Sequence, residues 1–192
     1  LCDWSSDVCS SDLPPAWLDG DDNVVLDYRH ADGDRLTWYF DHHATGFASE
    51  DERARALSVA VDTLERPAAA GTGPLAARPR VYHDAAYSSC TRLVHDVATD
   101  RFGLRFPELA RLVHWADVID TARFASAAEA TSLDEPILQL AGVIEHHGDD
   151  GFLTRMVPRL LAQGVEELAR ERDVVALWGP IRKARVQIGR AH

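Results

Sequence analysis

Short apolar runs separated by polar turns characterise the first part of the chain. Two runs, residues 23–28 and 36–40, are rich in β-branched and aromatic side chains and are bounded by turn residues, which is typical of buried strands. The segment between them contains an Asp32-Gly33 turn signal and is too short for a helical crossover. This pattern leaves two arrangements open, a hairpin or two parallel strands that are not neighbours. Only the second places residues 27 and 41 at the same sheet edge.

A helix with a capping-box start follows these strands. Ser49 and Glu52 have the spacing at which each side chain caps the backbone N–H of the other. Apolar residues at helical spacing continue through Leu64, and Pro67 stops the helix. After a loop rich in Pro, Ala and Gly, Val81-Tyr82 is predicted to be a short extended piece.

Two more helices are predicted before residue 126. Ser88 or Ser89 caps the first of them, because apolar residues at helical spacing follow directly. Pro107 suits the first position of the second helix. That helix runs into a mostly apolar stretch that ends in acidic residues.

The character of the chain changes near residue 126, after which only helical periodicity is found. Helices are predicted over residues 136–147 and 151–178. The second is expected to be interrupted at Pro158 and Gly164, since neither residue continues a helix readily.

The composition excludes some classes of protein and leaves others open. The chain has 192 residues and a formal net charge of −11, which argues against sequence-independent binding to long duplex nucleic acid. No apolar run is long enough to span a membrane, so no membrane partner is expected. A small phosphorylated substrate held through metal ions remains compatible with this charge. The oligomeric state is not indicated.

Both ends of the chain resemble translated sequencing-library adapter. Residues 1–13 fit the common read-through oligonucleotide codon by codon, and residues 187–192 fit the opposite strand. Such segments are excluded from reasoning about the fold. Cys2 and Cys9 then drop out, which leaves Cys90 as a lone cysteine and favours a reducing compartment, the cytoplasm.

The predicted architecture is α/β and incomplete. We expect an α/β core over residues 14–125 and a helical extension over residues 126–186. The adapter interpretation further predicts that the natural chain continues beyond both ends.

Three segments place acidic or imidazole side chains at the end of an apolar run. They are Asp27, Asp41-His42-His43, and Asp117 with Asp120. Mixed carboxylate and imidazole ligation suits Mn²⁺, with Mg²⁺ possible and Zn²⁺ less suitable. Two such ions sharing a carboxylate form the two-metal clamp of many phosphatases and nucleases. The alternative is that these acids cap helices or turns and that the two histidines are a surface pair.

The order of these segments resembles the DHH phosphoesterase superfamily. Asp41-His42-His43 after an apolar strand is similar to its name-giving motif, and Val24-Val25-Leu26-Asp27 to its second motif. The stretch 120–124, Asp-Thr-Ala-Arg-Phe, is similar to its fourth motif, and Ser88-Ser89-Cys90-Thr91 to the helix start between them. The resemblance covers about residues 23–125. It implies a DHH-type parallel-sheet domain and an enzyme that hydrolyses phosphate esters or anhydrides.

The resemblance also implies a role for each residue of the motifs. Asp27 would bridge two Mn²⁺ ions, and His42 and Asp120 would complete one metal site. Asp41 would be a catalytic-site residue that orients and supports its neighbours without binding the metal. His43 would face the substrate phosphate as a catalytic and substrate-binding residue. Asp117 is expected at a helix end or behind the ligands.

One motif of the family has no counterpart in the chain. The first motif, a His and two Asp on the first strand, belongs upstream of Asp27, and residues 14–22 supply neither the His nor the strand. The first strand of the sheet is therefore expected to be missing. This departure predicts that the fragment is inactive and that the intact protein is a hydrolase.

Three other features have a structural interpretation. Glu145-His146-His147 with Asp149-Asp150 suits a helix end followed by a helix cap. Cys90 is predicted to be a core residue, and the stretch 182–185, Arg-Lys-Ala-Arg, a solvated face.

The function favoured by the sequence is metal-dependent hydrolysis of a phosphodiester or phosphoanhydride by metal-activated water. The expected substrate is small, such as a short oligonucleotide, a cyclic dinucleotide, a nucleotide phosphate or a polyphosphate. A second hypothesis is a non-catalytic phosphate- or nucleotide-binding module that retains the residues surrounding the DHH-type site. A third is a structural metal-binding domain.

Overall fold

The structure is a computed structural model that describes residues 15–31, 35–66 and 79–190. The chain divides into two compact units between Thr121 and Ala122, called unit 1 and unit 2 below. The predicted boundary lies between residues 125 and 126. The segment 1–13 interpreted as adapter is outside the described residues. Residues 191 and 192 of the corresponding C-terminal segment are also outside them.

Unit 1 contains a parallel sheet of four short strands in its described part. They are β1 (Val24–Leu26), β2 (Trp38–Asp41), β3 (Asp62–Thr63) and β4 (Arg80–His83). The order across the sheet is β1-β2-β4-β3, and each neighbouring pair is parallel. The α/β class predicted from the sequence is therefore confirmed, as is the short extended piece at residues 81–82.

Both arrangements predicted for the first two strands are wrong, because β1 and β2 are parallel and also adjacent. No helix occurs in the described part of their connection, residues 27–31 and 35–37. Hydrogen bonds to Asn23 instead hold the segment that leads into β2. Its side-chain amide donates to the Arg35 carbonyl at 2.9 Å, and the Thr37 N–H donates to the Asn23 carbonyl at 2.9 Å.

Three helices follow in the described part of unit 1, namely α1 (Glu50–Val59), α2 (Cys90–Phe102) and α3 (Ala110–Asp120). Ser49 caps α1 by accepting from the Glu52 N–H, and the Glu52 carboxylate accepts from the Ala48 N–H at 2.7 Å. The predicted continuation of this helix through Leu64 is wrong. The chain turns extended after α1 and forms β3, where Asp62 accepts a hydrogen bond from the buried Tyr82 hydroxyl at 2.7 Å.

The sheet of unit 1 has apolar residues on both faces, because alternate side chains of a strand point to opposite sides. Val25, Tyr39 and Val81 belong to one buried cluster. Phe40 and Tyr82 belong to another, together with residues of α2. The sheet is thus fixed from both sides, and its strand ends are held in place.

Unit 2 is helical in its described residues. It contains α4 (Ala127–Ala130), α5 (Pro136–His147), α6 (Asp150–Arg170) and α7 (Arg172–Arg190), of which the last three share an apolar cluster. The predicted helix over 136–147 is confirmed by α5. Gly164 breaks α6 with φ of 81°, as predicted, whereas the helix continues through Pro158 and that part of the prediction is wrong. Every helix in the described residues is too short or too polar to cross a membrane.

Candidate metal centre

The predicted ligands meet at one edge of the sheet in unit 1. Asp27 follows β1 directly, and His42 follows β2 directly. Because the two strands are parallel neighbours with Leu26 level with Phe40, both residues leave the sheet at the same edge. Asp120 reaches the same place as the last residue of α3.

His42 lies between the two carboxylates. Its Nε2 is 3.3 Å from Asp27 Oδ1 and 3.3 Å from Asp120 Oδ2. Its Nδ1 is 3.1 Å from the Tyr87 carbonyl oxygen. A carbonyl only accepts, so Nδ1 carries the ring proton and Nε2 of the neutral imidazole carries a lone pair.

In this neutral form, the lone pair on Nε2 faces oxygen atoms that are themselves acceptors. Nε2 is buried and, among the described residues, has no partner with the geometry of a hydrogen bond. An unpaired buried polar atom beside two carboxylates is costly, because no proton or positive charge separates the three electron-rich atoms. A divalent cation fits this donor set of two carboxylate oxygens and one imidazole nitrogen.

The backbone of Asp27 is left-handed, with φ of 55°. This conformation is uncommon outside glycine, and Asp is among the residues that adopt it more easily. The Asp27 N–H donates to the Phe40 carbonyl at 2.9 Å, which extends the strand pairing by one residue. The turn therefore begins at the residue whose carboxylate reaches His42.

Asp120 lies in a site of concentrated negative charge. Burial raises the pKa of its carboxyl, and the nearby charge of Asp27 raises it further, although His42 and His43 act in the opposite direction. Its position at the C-terminal end of α3 adds the negative end of the helix dipole. A bound cation would relieve this repulsion.

His43 is held from behind by Asp41. The Asp41 carboxylate is fully buried and accepts from His43 Nδ1 at 2.7 Å. The Tyr39 hydroxyl lies 3.1 Å from Asp41 Oδ2 and 3.0 Å from the Gly46 carbonyl. Burial lowers the pKa of His43, but the hydrogen bond and charge of Asp41, with Asp27 and Asp120, outweigh it and raise that pKa.

The side chains that lie closest together form a ligand set that differs in one residue from the predicted set. Among the described residues, one group of His, Cys, Asp and Glu side chains has ligand atoms all within 4.8 Å of each other, namely Asp27, His42 and His43. The predicted set contains Asp120 in place of His43. We favour Asp120, because its Oδ2 lies 3.3 Å from His42 Nε2, the same distance as Asp27 Oδ1.

Gly46 is a site residue that the sequence did not indicate. A Cβ atom added there would lie 2.0 Å from Asp41 Oδ2 and 2.9 Å from the Tyr39 hydroxyl. Glycine is therefore required for the loop to close over Asp41. Tyr39 and Tyr87 were missed as well. Tyr87 acts through its carbonyl, which leaves no signature in the side-chain pattern.

Asp117 lies one turn before Asp120 on α3, and both of its oxygens are occupied. Oδ1 accepts from the Ser88 and Ser89 hydroxyls at 2.7 Å each. Oδ2 accepts from two nitrogens of Arg92, at 2.9 and 2.6 Å. Burial alone would raise the pKa of the Asp117 carboxyl, but the hydrogen bonds from Arg92, Ser88 and Ser89 and the charge of Arg92 lower it.

The second acid and histidine cluster of the sequence has the structural role predicted for it. His146 Nδ1 donates to the Gly142 carbonyl at 2.9 Å within the last turn of α5. Asp149 caps α6 by accepting from the Phe152 N–H at 2.7 Å. These side chains serve the helix ends and do not converge on one point.

The other two structural interpretations are also confirmed, the second of them in part. Cys90 is buried, its Sγ lies 3.4 Å from the Phe40 carbonyl, and burial raises its pKa to about 12. In the stretch 182–185, residues 182–184 are exposed, and Arg182 pairs with Asp134 at 3.7 Å. Arg185 departs from the predicted solvated face, because it is partly buried and lies 5.4 Å from the centroid of the Trp178 ring.

Comparison with models of protein families, with curated proteins and with solved structures gave no significant match.

Proposed function

We propose that Asp27, His42 and Asp120 hold a divalent cation, and that the site belongs to a hydrolase acting on a phosphodiester or phosphoanhydride. The observation that supports this most directly is the buried Nε2 of His42, whose lone pair faces two carboxylate oxygens at 3.3 Å each. The Tyr87 carbonyl fixes that tautomer, as second-layer partners of metal-binding histidines commonly do.

A protonated His42 is the competing explanation for this arrangement. It would balance the negative charge of the two carboxylates without a metal. However, neither contact of Nε2 meets the geometry of a hydrogen bond, whereas a proton on Nε2 would favour an aligned contact. The position of Nε2 between two oxygens suits a ligand to a shared cation better.

The donor set favours Mn²⁺, with Mg²⁺ as the second choice. When bound, such an ion lowers the pKa of a coordinated water and neutralises charge on phosphoryl oxygens. His43 would meet the phosphate, since its side chain is half exposed and lies beside the carboxylate of Asp27. Asp41 orients the ring by its hydrogen bond to Nδ1.

One cavity lies beside the candidate centre, although none of Asp27, His42, His43 and Asp120 lines it. Its volume is about 540 Å³, and it borders the loop after β2 and the end of β4. Its lining includes Ala44 and His83, and His83 Nε2 donates to the His43 carbonyl at 2.8 Å. This size is within the usual range for small-molecule sites. The formal net charge of −11 disfavours a long phosphate backbone, so the proposed substrate is small.

The order of the motifs along the chain supports the interpretation of the site as that of a phosphoesterase. The described residues offer ligands for one cation, so binding and turnover have to be tested separately. Metal-free protein titrated with Mn²⁺ by calorimetry should bind one ion, and His42→Ala should abolish the binding. Turnover of bis(4-nitrophenyl) phosphate with Mn²⁺ would support the enzyme.

The same experiment separates the alternatives. Binding without turnover, in this chain and in a longer one, would favour a non-catalytic phosphate- or nucleotide-binding module. A large fall in melting temperature on metal removal, again without turnover, would favour a structural metal site. No Mn²⁺ or Mg²⁺ binding at millimolar concentration would refute the proposal.

A further inference from the structure

The hydrogen bonds of Asp117 connect α3, which carries the proposed ligand Asp120, to the start of α2, next to Tyr87, whose carbonyl accepts from His42. Asp117 belongs to α3, and its partners are Arg92 in the first turn of α2 and the two residues before that helix, Ser88 and Ser89. The four contacts range from 2.6 to 2.9 Å. Each involves a charged acceptor, which makes such bonds shorter and stronger than neutral ones.

The first connection leads from Asp117 to His42. Tyr87, whose carbonyl accepts from His42 Nδ1, is the residue directly before Ser88. A hydroxyl fixed at Ser88 therefore limits where the carbonyl of Tyr87 can point. The tautomer and the ring direction of His42 depend on that carbonyl.

The second connection leads from Asp117 to Asp120. The two residues are three positions apart on α3, so they lie on the same side of the helix. The last turn of the helix is tightened further by Thr121, whose hydroxyl donates to the Asp117 carbonyl at 2.6 Å. Tying Asp117 to the start of α2 therefore fixes the helix end on which the Asp120 carboxylate sits.

We propose that Asp117 is a positioning residue that sets His42 and Asp120 relative to each other through one hydrogen-bonded link between α2 and α3. This inference rests on the proposed function, because it concerns the geometry of the same cation site. Asp117 itself contributes no ligand, since both of its oxygens are occupied by Ser88, Ser89 and Arg92. Its role is to hold the ligand atoms of His42 and Asp120 close together in the metal-free protein.

Ser88 and Ser89 differ in a way that helps to test this link. The Ser89 hydroxyl also accepts from the Arg92 N–H as the cap of α2, so Ser89→Ala would weaken the helix start as well. The Ser88 hydroxyl donates to Asp117. Ser88→Ala is therefore the cleaner way to loosen the link.

The test compares Asp117→Asn with Asp100→Asn, an equal change of charge at an exposed position of α2. Two quantities are measured: Mn²⁺ affinity by calorimetry, and the imidazole ¹⁵N signals of His42 in the metal-free protein, assigned by their loss in His42→Gln. Asp117→Asn should weaken Mn²⁺ binding about 10- to 100-fold, the range found for second-layer partners. It should also shift the His42 signals toward a mixture of tautomers.

The control Asp100→Asn should change neither quantity. Ser88→Ala should move the His42 signals in the same direction as Asp117→Asn with a smaller loss of affinity, and it decides the matter if Asp117→Asn fails to fold. Unchanged His42 signals in a folded Asp117→Asn or Ser88→Ala protein would overturn the inference. A wild-type chain that binds no Mn²⁺ would refute the proposed function instead, and the metal-free signals would still test the link.

Discussion

Two pairs of adjacent histidines, each with acids nearby, have opposite surroundings in this protein. His42-His43 in unit 1 lies where strand ends and a helix end meet, and His42 is almost buried at 13% exposure of its side chain. His146-His147 in unit 2 lies in the last turn of α5, and the His146 side chain is 49% exposed. The two stretches are similar in composition and differ in what the fold brings to them.

The comparison shows that the convergence of distant segments, and not the local sequence, distinguishes the candidate site from a helix end. In unit 1 the partners of His42 come from residues 27, 87 and 120, far apart in the chain. In unit 2 the contacts of His146 and Asp149 stay within four residues. Local contacts satisfy a helix end, whereas the converging segments of unit 1 supply the donor set that we propose to hold a cation.

The strongest challenge to this comparison is to remove one histidine from each pair. His42→Ala should lower Mn²⁺ affinity by more than about 100-fold, above the range typical of second-layer partners. His147→Ala should leave the affinity unchanged, because its helix end supplies no converging ligands. Calorimetric titration of both variants measures the two affinities. Equal losses would contradict the assignment of the cation site to His42 and of a purely structural role to the second pair.

A second comparison uses one glycine from each unit. Gly46→Ala should reduce the free energy of unfolding by about 1–3 kcal/mol or more, because the new methyl group would overlap Asp41 and overpack the loop. Gly179→Ala in α7 meets no described atom within 4 Å and should stabilise the helix by about 0.5–1 kcal/mol. Urea unfolding of the two variants checks both signs.

The pH dependence of unit 1 provides a third test. The raised pKa of His43 means that the folded protein binds its proton more tightly than the unfolded chain does. The resulting stabilisation is complete below the ordinary value of 6.5 and is lost as the pH rises through the higher folded pKa. Thermal unfolding of metal-free protein from pH 5 to 9 should show this loss, and His43→Gln should remove it.

The smallest effect is expected for an ion pair of unit 2. Asp173 accepts from two nitrogens of Arg159 at 2.8 Å each, and the hydrogen bonds from Arg159 are the main cause of its pKa near 2. This pair is largely exposed, so Asp173→Asn should cost less than about 1 kcal/mol near neutral pH. In the wild type that contribution should vanish as the pH falls from about 4 to 2. A larger loss in acid melting curves would contradict this estimate.

Much of the fold was predictable where local chemistry decides the structure. Ser49 and Ser89 cap helices as their sequence context indicates, and α5 has the predicted bounds. The prediction failed where distant contacts override local preference. Residues near Leu64 have helical spacing, yet Asp62–Thr63 pairs with β4, which the sequence gives no means to foresee.

The site was predictable as a set of segments and only partly as a set of contacts. Apolar runs that end in acidic or imidazole side chains made Asp27, His42 and Asp120 candidate ligands, although the relative placement of the first two strands was left open. The structure brings those three side chains together. The roles of Tyr87 and Gly46 were not predictable, because one acts through a carbonyl and the other through the space that it leaves.

The left-handed backbone at Asp27 determines which substitution can isolate its charge. Alanine there would add torsional strain to the loss of the carboxylate, so a weakened site would have two explanations. Asparagine tolerates the same backbone angles and has nearly the same shape. Asp27→Asn therefore removes the negative charge without adding backbone strain, and at this corner the amide is a more informative replacement than the usual methyl group.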